Sequence, residues 1–297
     1  CARHGGLRMR VVLVGAGGQL AFDLVRALAD HELVPLTRAE LELTDGAAVR
    51  SRMLAEKPDA IVNAAAYNLV DKAEDEPEAA YRDNALVPRT LALTAAEIGA
   101  KLIHFSTDYV FGRDAGRRTP WKETDEPGPT GAYGVSKLAG EHFVRAHCPR
   151  HFVLRTCGVY GVKGSRGKGG NFVETMLRLA GTGKPVRVVN DQRCTPSYAK
   201  HLAEAAAALL ATERFGLYHL VNAGECSWHE FASEIFKQAG LAVDCQPITT
   251  AEFGARANRP AYSVLDGSKL TDAGVPPLPD WRQALAEYLA ERPAGRS

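Results

Sequence analysis

The sequence predicts an α/β protein with a doubly wound parallel sheet, and two observations carry this prediction. Short apolar runs alternate with amphipathic stretches of about ten or more residues, which is the pattern of successive βαβ units. The first apolar run, at 10–14, ends in a glycine-rich turn that leads directly into a helical pattern. Right-handed crossovers between such strands build an open sheet with helices on both faces.

Each element follows from local periodicity. Strands are predicted where apolar residues run together, and helices where apolar residues recur every three or four positions. The predicted strands cover 10–14, 33–36, 60–62, 101–105, 152–156, 185–189 and 216–221. The predicted helices cover 19–29, 47–56, 77–99, 133–147, 171–180, 198–211, 228–239 and 281–291. Pro88 lies inside the third helical stretch and predicts a kink or a boundary there.

Composition places the chain among ordinary globular proteins. It has 297 residues, 45% of them hydrophobic, with 36 Lys and Arg against 35 Asp and Glu. The near-zero net charge gives no reason to expect nucleic acid or an anionic membrane as a partner. No apolar stretch reaches the ~18–20 residues of a membrane span. The six cysteines have no C-x-x-C spacing, which favours reduced thiols and a cytoplasmic location.

The glycine-rich turn at 15–21 reads G-A-G-G-Q-L-A. Gly15 suits a tight turn, Gly18 permits close approach of a pyrophosphate, and the helix that follows offers free N–H groups. Ala21 is small enough to take the place of a third glycine in helix–strand packing. We therefore predict a dinucleotide site of the Rossmann type. The alternative is a glycine turn in some other α/β protein.

The residues after the second strand bear on the choice of cofactor. The segment Thr37-Arg38-Ala39-Glu40 places no acidic residue at the strand end to hold a ribose 2′-hydroxyl. The Arg38 guanidinium can instead pair with a 2′-phosphate. This favours NADPH, with NADH as the alternative. The competing interpretation is that Arg38 is a solvated loop cation.

These features divide the chain into three segments. Residues 1–8 precede Met9 and lack the apolar region of a secretory signal, so we interpret them as a tail or an expression remnant. Residues 9–157 are expected to form the dinucleotide-binding domain. Residues 158–297 are expected to form mainly a smaller C-terminal substrate-binding domain, with about 198–223 returning to the larger domain. Five glycines within 161–170 predict a mobile loop.

A second motif points to catalysis. Tyr133 and Lys137 are spaced i, i+4 and share one face of a predicted helix. A cation near a phenol favours the phenolate, so we expect Lys137 to lower the pKa of Tyr133. Thr107 and Asp108 follow the fourth strand, where ligands of open α/β sheets bind, so Thr107 is a candidate to hydrogen-bond a reacting carbonyl. Together these features predict an enzyme.

The motifs resemble those of the extended short-chain dehydrogenase/reductases and, within them, of the dTDP-4-dehydrorhamnose reductase family. The resemblance covers about residues 9–292. It is carried by the segments 18–20, 62–67, 70–74, 106–111, 133–141, 171–172, 190–192, 217–220 and 259–260. The N-A-A-A and V-D-K-A-E segments are the more specific for this family, whereas Y-x-x-x-K identifies only the superfamily.

The resemblance implies reduction of the C4 keto group of a dTDP-4-keto-6-deoxy-L-sugar, above all of dTDP-4-dehydrorhamnose to dTDP-L-rhamnose. It implies that Tyr133 donates the proton, that Lys137 holds the nicotinamide ribose and that Thr107 orients the carbonyl. The implied binding residues are Gly18, Gln19 and Leu20 for the pyrophosphate, Glu42 and Leu43 for the adenine side, Ala64, Ala65 and Ala66 for the nicotinamide side, and Thr107, Asp108 and Asn171 for the substrate. Asn84 matches a position near the cofactor, or is a packing residue.

Two segments depart from the family pattern. Gly158 stands where family members carry a Trp that faces the sugar, which predicts a lost stacking surface and a larger pocket. The segment 193–197, R-C-T-P-S, replaces the more usual G-x-P-T. Lys163, Arg166 and Lys168 of the glycine-rich loop would either bind a diphosphate or face solvent. Trp228 would either pack or line the rim of the sugar pocket.

The remaining expectations concern metals, partners and alternative functions. The nine histidines show no metal-ligand spacing, so the sequence predicts no metal site, although the resemblance leaves Mg²⁺ open. We expect a nucleotide-sugar substrate, no nucleic acid and no membrane partner, and we leave a homodimer open. Two other functions stay open: a different reductase or epimerase of the extended family, and a non-catalytic regulatory subunit with this fold.

Overall fold

The structure is a computed structural model that describes residues 8–164 and 170–292. Its strands are β1 (Arg10–Val14), β2 (Glu32–Leu36), β3 (Ala60–Asn63), β4 (Lys101–Thr107), β5 (His151–Thr156), β6 (Val159–Tyr160), β7 (Val186–Val189), β8 (Arg193–Cys194), β9 (Ser197–Tyr198), β10 (Gly216–His219), β11 (Cys226–Ser227) and β12 (Cys245–Ile248). Its α-helices are α1 (Gln19–Ala27), α2 (Gly46–Glu56), α3 (Val70–Ala73), α4 (Pro77–Tyr81), α5 (Val87–Ile98), α6 (Ala132–His147), α7 (Phe172–Ala180), α8 (Ala199–Leu210), α9 (Trp228–Gln238), α10 (Thr250–Phe253) and α11 (Trp281–Glu291).

One six-stranded sheet forms the centre of the molecule. Its strands are all parallel and lie in the order β2-β1-β3-β4-β5-β10. The predicted doubly wound parallel sheet is therefore confirmed. The strand order reverses between β1 and β3, and ligands of such sheets bind where the order reverses, beyond the carboxyl ends of the strands.

The residue composition of each strand matches its position in the sheet. Residues of β3 and β4 are buried throughout, which is the pattern of central parallel strands covered on both faces. Pro35 lies in β2, and a proline is tolerated there because β2 is an edge strand whose outer N–H groups need no partner.

Two layers of helices cover this sheet. On one face, α1 and α8 pack against the sheet and against each other through leucine and alanine side chains. On the other face, α2, α5 and α6 bury residues such as Met53, Leu91 and Val144. The segment that contains α8 and β10 thus belongs to the large sheet, although it comes late in the chain.

A smaller lobe lies beyond the carboxyl edge of the sheet. Its short strands pair as β7 with β12, β8 with β11, and β6 with β9. The helices α7, α9 and α11 enclose an aromatic core that includes Tyr160, Phe231, Trp281 and Tyr288. Ser227 caps α9 through a capping box with Glu230, so the first turn of this helix is fixed.

The structure refines several of the predicted elements. The stretch predicted as one helix at 77–99 consists of α4, a π-helical turn (Arg82–Leu86) and α5. Pro88 lies in the first turn of α5, directly after the π-helical turn, and the backbone of Tyr81, Leu86 and Val87 keeps right-handed helical angles. The irregularity near Pro88 is therefore a change of helix type within one continuous helical path. Among the residues that the structure describes, no helix has the length and apolarity needed to cross a membrane.

Candidate active site

The turns after β1 and β3 meet at the point where the strand order reverses. Gly15 has φ +78°, and a Cβ atom on it would lie 2.6 Å from the backbone nitrogen of Ala65. A side chain at position 15 would therefore collide with the neighbouring turn. Ala65 is held in place by a hydrogen bond from its N–H to Asn63 Oδ1 (3.1 Å). The sequence prediction that Gly15 lies in a tight turn is confirmed.

The N-terminus of α1 faces the same crevice. Helices α2, α7 and α9 are capped by Asp45, Asn171 and Ser227, whereas no side chain among the described residues caps α1. Its first N–H groups are therefore available to an anion, which the helix dipole also favours. Gln19 Nε2 donates to the carbonyl of Val159 (3.0 Å), and its buried Oε1 has no partner among the described residues. These features fit a dinucleotide.

Arg38 and Glu42 lie together in the segment that follows β2. Arg38 Nε donates to Glu42 Oε2 (2.9 Å), and 76% of the Arg38 side chain is exposed. Hydrogen bonds from Thr44 and Arg38 lower the pKa of Glu42. Leu43 is partly buried and packs against the core beneath α2 and α5. An anion bound by Arg38 would therefore share the guanidinium with the carboxylate of Glu42.

Tyr133 lies in the first turn of α6, at the carboxyl edge of the sheet. Glu74 Oε1 accepts a hydrogen bond from the N–H of Ala132 (2.8 Å) and so caps this helix from a neighbouring element. The ring of Tyr109 packs edge-on against Tyr133, with 5.6 Å between their centroids. Thr107 Oγ1 accepts from the N–H of Tyr109 (3.2 Å), so Thr107 and Tyr133 border one site.

Burial controls the ionisation of this site. It raises the pKa of Tyr133 to about 12, against an opposing hydrogen bond with Thr107. It lowers the pKa of Lys137 to about 8, which the Glu141 carboxylate opposes. The expectation that Lys137 lowers the pKa of Tyr133 is not met here, because burial of the phenol dominates. The Lys137 ammonium instead donates to the backbone carbonyl of Phe105 (2.6 Å).

A buried ion pair beneath the site was not singled out by the sequence analysis. Arg155 donates to Glu141 through Nε (2.9 Å) and Nη2 (2.7 Å), and both side chains are at most 1% exposed. Glu141 Oε1 also accepts from Ser106 Oγ (2.5 Å). The pair thus joins α6, β4 and β5 next to Thr107. The local sequence of neither residue indicates this pair, because the two residues lie on different elements.

Asn84 acts as a packing and positioning residue in the structure. Its Nδ2 donates to the carbonyl of Tyr67 (2.9 Å) and to Ser136 Oγ (3.0 Å), and its Oδ1 accepts from the N–H of Tyr67 (2.9 Å). These bonds tie the segment after β3, which contains Ala64 and Ala66, to the helix that carries Tyr133.

The V-D-K-A-E segment forms α3 and connects two parts of the site. Asp71 accepts from Arg259 Nη2 (2.7 Å) and from the N–H of Ala257 (3.0 Å). Glu74, directly after α3, caps α6 as described above. One short helix therefore holds both the 257–259 segment and the helix of Tyr133.

Asp108 and Asn171 were predicted to bind substrate, and both are held by internal hydrogen bonds. Asp108 accepts from Thr107 Oγ1 (3.1 Å) and Cys157 Sγ (3.0 Å), and burial raises the pKa of its carboxyl. Asn171 caps α7 through the N–H of Glu174 (3.0 Å) and donates to the carbonyl of Gly161 (2.9 Å). A substrate contact for either residue stays a prediction.

Gly158 follows β5 with φ +54°. A Cβ atom on it would lie 3.4 Å from Cη2 of Trp228 and 3.1 Å from Cα of Pro196. The Trp228 ring thus lies in van der Waals contact with this position, and the larger sugar pocket expected from the glycine stays a prediction.

The basic residues of the following loop are only partly described. Lys163 Nζ lies 5.8 Å from the ring centroid of Phe22, whereas Arg166 and Lys168 lie outside the described residues. Within 8–164 and 170–292, no three His, Cys, Asp or Glu side chains are grouped so as to hold a metal ion.

Comparison with known proteins identifies the family. The family model for the RmlD substrate binding domain matches residues 9–293. The chain belongs to the dTDP-4-dehydrorhamnose reductase (RmlD) family. The family and the enzyme class predicted from the sequence are confirmed, and the chain is an oxidoreductase. The candidate site described above places Tyr133 and Lys137 on one helix beside the end of β4.

Relatives in this family match almost the whole chain. The spore coat polysaccharide biosynthesis protein SpsK of Bacillus subtilis is 43% identical over 286 residues, which cover 95% of this chain and 98% of SpsK. The dTDP-4-dehydrorhamnose reductase of Shigella flexneri is 39% identical, with 95% and 98% covered. The crystal structure of the reductase from Bacillus anthracis in complex with NADP has a TM-score of 0.91 and 37% identity, covering 96% of this chain and 100% of that one.

Proposed function

We propose that this RmlD family member reduces the C4 keto group of a dTDP-4-keto-6-deoxy-L-sugar, with NADPH as the hydride donor and dTDP-4-dehydrorhamnose as the substrate. The observation that carries the proposal is the convergence of Tyr133, Lys137 and Thr107 at the carboxyl edge of the sheet, beside the point where the strand order reverses. Relatives that carry this reductase name over nearly their full length support the choice of substrate.

The cofactor would lie across the turns after β1 and β3. Its pyrophosphate would bind at Gly18, Gln19 and Leu20, where the uncapped N–H groups of α1 and the helix dipole favour negative charge. Ala64, Ala65 and Ala66 are small, so a flat ring can lie close to the strand ends. Bound there, the reduced nicotinamide supplies a hydride to the substrate carbonyl.

The exposed guanidinium of Arg38 supports NADPH over NADH. Its Nε is engaged by Glu42, and the planar fork of a guanidinium presents further N–H donors that match phosphate geometry. Glu42 would then orient the guanidinium toward a 2′-phosphate. NADH carries a hydroxyl at this position and gains less from the same contact.

The protein supplies the proton. With a pKa of about 12, Tyr133 keeps its phenolic proton at neutral pH, which is the state that a proton donor to the developing alkoxide must have. Thr107 would hydrogen-bond the same oxygen and orient the carbonyl. Lys137, positively charged below pH about 8, would hold the nicotinamide ribose and favour the phenolate that Tyr133 leaves behind.

The test is a panel of dTDP-4-keto sugars incubated with the protein and NADPH, with turnover followed by the loss of nicotinamide absorbance. We expect net, stoichiometric oxidation with a 4-keto-6-deoxy-L-sugar. An epimerase would convert the sugar without net oxidation of the cofactor. A regulatory subunit would bind NADPH and oxidise none of it with any sugar of the panel. Either result would overturn the proposal.

A further inference from the structure

The half-buried ring of Trp228 occupies the space in front of Gly158. Its Cη2 lies 3.4 Å from the position of a Cβ atom on Gly158. Gly158 directly follows Cys157, whose Sγ donates to Asp108 (3.0 Å), and Asp108 adjoins Thr107. A short series of contacts therefore leads from the indole of Trp228 to Thr107, which borders the same site as Tyr133.

The indole of Trp228 is held in place by its own helix and by a neighbouring aromatic ring. Trp228 is the first residue of α9, where Ser227 caps the helix and also donates to Asn190 Oδ1 (2.7 Å). Phe172 packs against the indole with 4.8 Å between ring centroids. A ring held by a capped helix and a neighbouring ring loses little conformational entropy when a ligand packs on it.

Trp228 also lies at the junction of two apolar clusters. It packs against the aromatic core of the smaller lobe. It also packs against a cluster that contains Phe111 and Cys157, which follow β4 and β5, and Cys194 of β8. Trp228 therefore lies between the smaller lobe and the residues that follow β4 and β5, and its ring is only half-buried there.

We propose that Trp228, supported by Phe172, is the wall against which the sugar ring of the substrate packs. A 6-deoxy sugar carries a methyl group and a face of C–H groups, and an aromatic ring buries such a surface favourably. The inference rests on the proposed function and assigns its sugar-side specificity to a residue of the smaller lobe. It implies a preference for a 6-methyl over a 6-hydroxymethyl sugar.

The kinetic test compares Trp228→Ala and Trp228→Phe with Trp281→Phe, a matched control whose ring is buried in the smaller lobe. Loss of a buried aromatic surface corresponds to a change in apparent affinity of about 10- to 100-fold. We expect Trp228→Ala to raise the KM for the keto-sugar by that factor with an unchanged KM for NADPH. Trp228→Phe should retain most of the affinity, and the control should behave as the wild type.

A fluorescence titration supplies a readout that a purely structural role would not change. The chain has three tryptophans. Adding dTDP-L-rhamnose should change the emission of the wild type and of Trp281→Phe, and this change should vanish in Trp228→Phe. Adding dTDP alone should leave the Trp228 emission unchanged, because the indole faces the sugar.

The outcomes separate the two proposals. If the wild type reduces the keto-sugar and Trp228→Ala does so with an unchanged KM, the wall assignment is overturned and the reductase function stands. If dTDP alone reproduces the change in emission, the indole contacts the nucleotide and the assignment to the sugar is wrong. If the wild type turns over no keto-sugar, the proposed function fails, and the assignment fails with it.

Discussion

The substitution Glu141→Gln tests the ion pair that lies beneath the site. Glutamine keeps the shape of the side chain and removes its charge. Arg155 donates to both carboxylate oxygens, through Nε to Oε1 (2.9 Å) and through Nη2 to Oε2 (2.7 Å). An amide in either orientation therefore turns its NH₂ group toward an Arg155 donor, and the buried guanidinium loses its counter-charge.

The magnitude follows from the burial of both partners. Glu141 is 0% and Arg155 1% exposed, so water cannot solvate the remaining charge. Breaking such a pair by changing one partner costs about 3–5 kcal/mol. For a chain of this size, that loss corresponds to a Tm lower by about 5–8 °C. The variant should also lose activity, because Ser106 and Thr107 are adjacent on the strand that the pair anchors.

The assay is thermal unfolding followed by circular dichroism. Glu97→Gln is the matched control, since it removes an exposed ion pair with Arg50 and should melt with the wild type. The double variant Glu141→Leu/Arg155→Met should recover stability, because an apolar pair of similar volume leaves no charge uncompensated. A Glu141→Gln variant that melts with the control would refute the reasoning, as would a double variant less stable than the single one.

Three further outcomes are expected. Tyr133→Phe should lower kcat at least ~100-fold, measured by turnover, with NADPH binding retained in a cofactor fluorescence titration. The control Tyr81→Phe changes an exposed tyrosine and should be as active as the wild type. Normal turnover by Tyr133→Phe would remove Tyr133 from the mechanism. Arg38→Ala should weaken NADPH more than NADH in binding titrations, and equal weakening would show that Arg38 does not contact the 2′-phosphate. Because burial lowers the pKa of Lys137 to about 8, its charge is present below that pH and lost above it. The pH profile of kcat/KM, which reports the pKa values of the free enzyme, should therefore fall through about pH 8, and a flat profile would show that this charge is not needed.

Periodicity was sufficient to predict the large sheet and its helices. Strand β1, for example, is a continuous apolar run, and α11 begins and ends where its pattern does. The glycine turn and the Tyr133–Lys137 pair were also recognisable from the sequence, because both depend on local spacing and each follows a predicted strand.

Contacts between distant residues were beyond the reach of the sequence. Glu141 and Arg155 lie on different elements, and nothing local to either residue indicates that they pair. The strands β8 and β9 contain two residues each, which is too short for a periodic signal. The capping role of Asn171 was also not predicted, although a polar residue directly before an apolar helical pattern is an N-cap signal.

The late return of α8 and β10 to the large sheet affects how the protein can fold. β10 pairs with β5 although the 59 residues 157–215 separate the two strands on the chain, and most of these residues belong to the smaller lobe. Until those residues are made, β5 is an unprotected edge strand, and the leucines of α1 have no α8 to pack against. Completion of the large sheet is thus a long-range closure with a high entropic cost, and such closures are slow. The two halves of the molecule are therefore linked during synthesis as well as at the site.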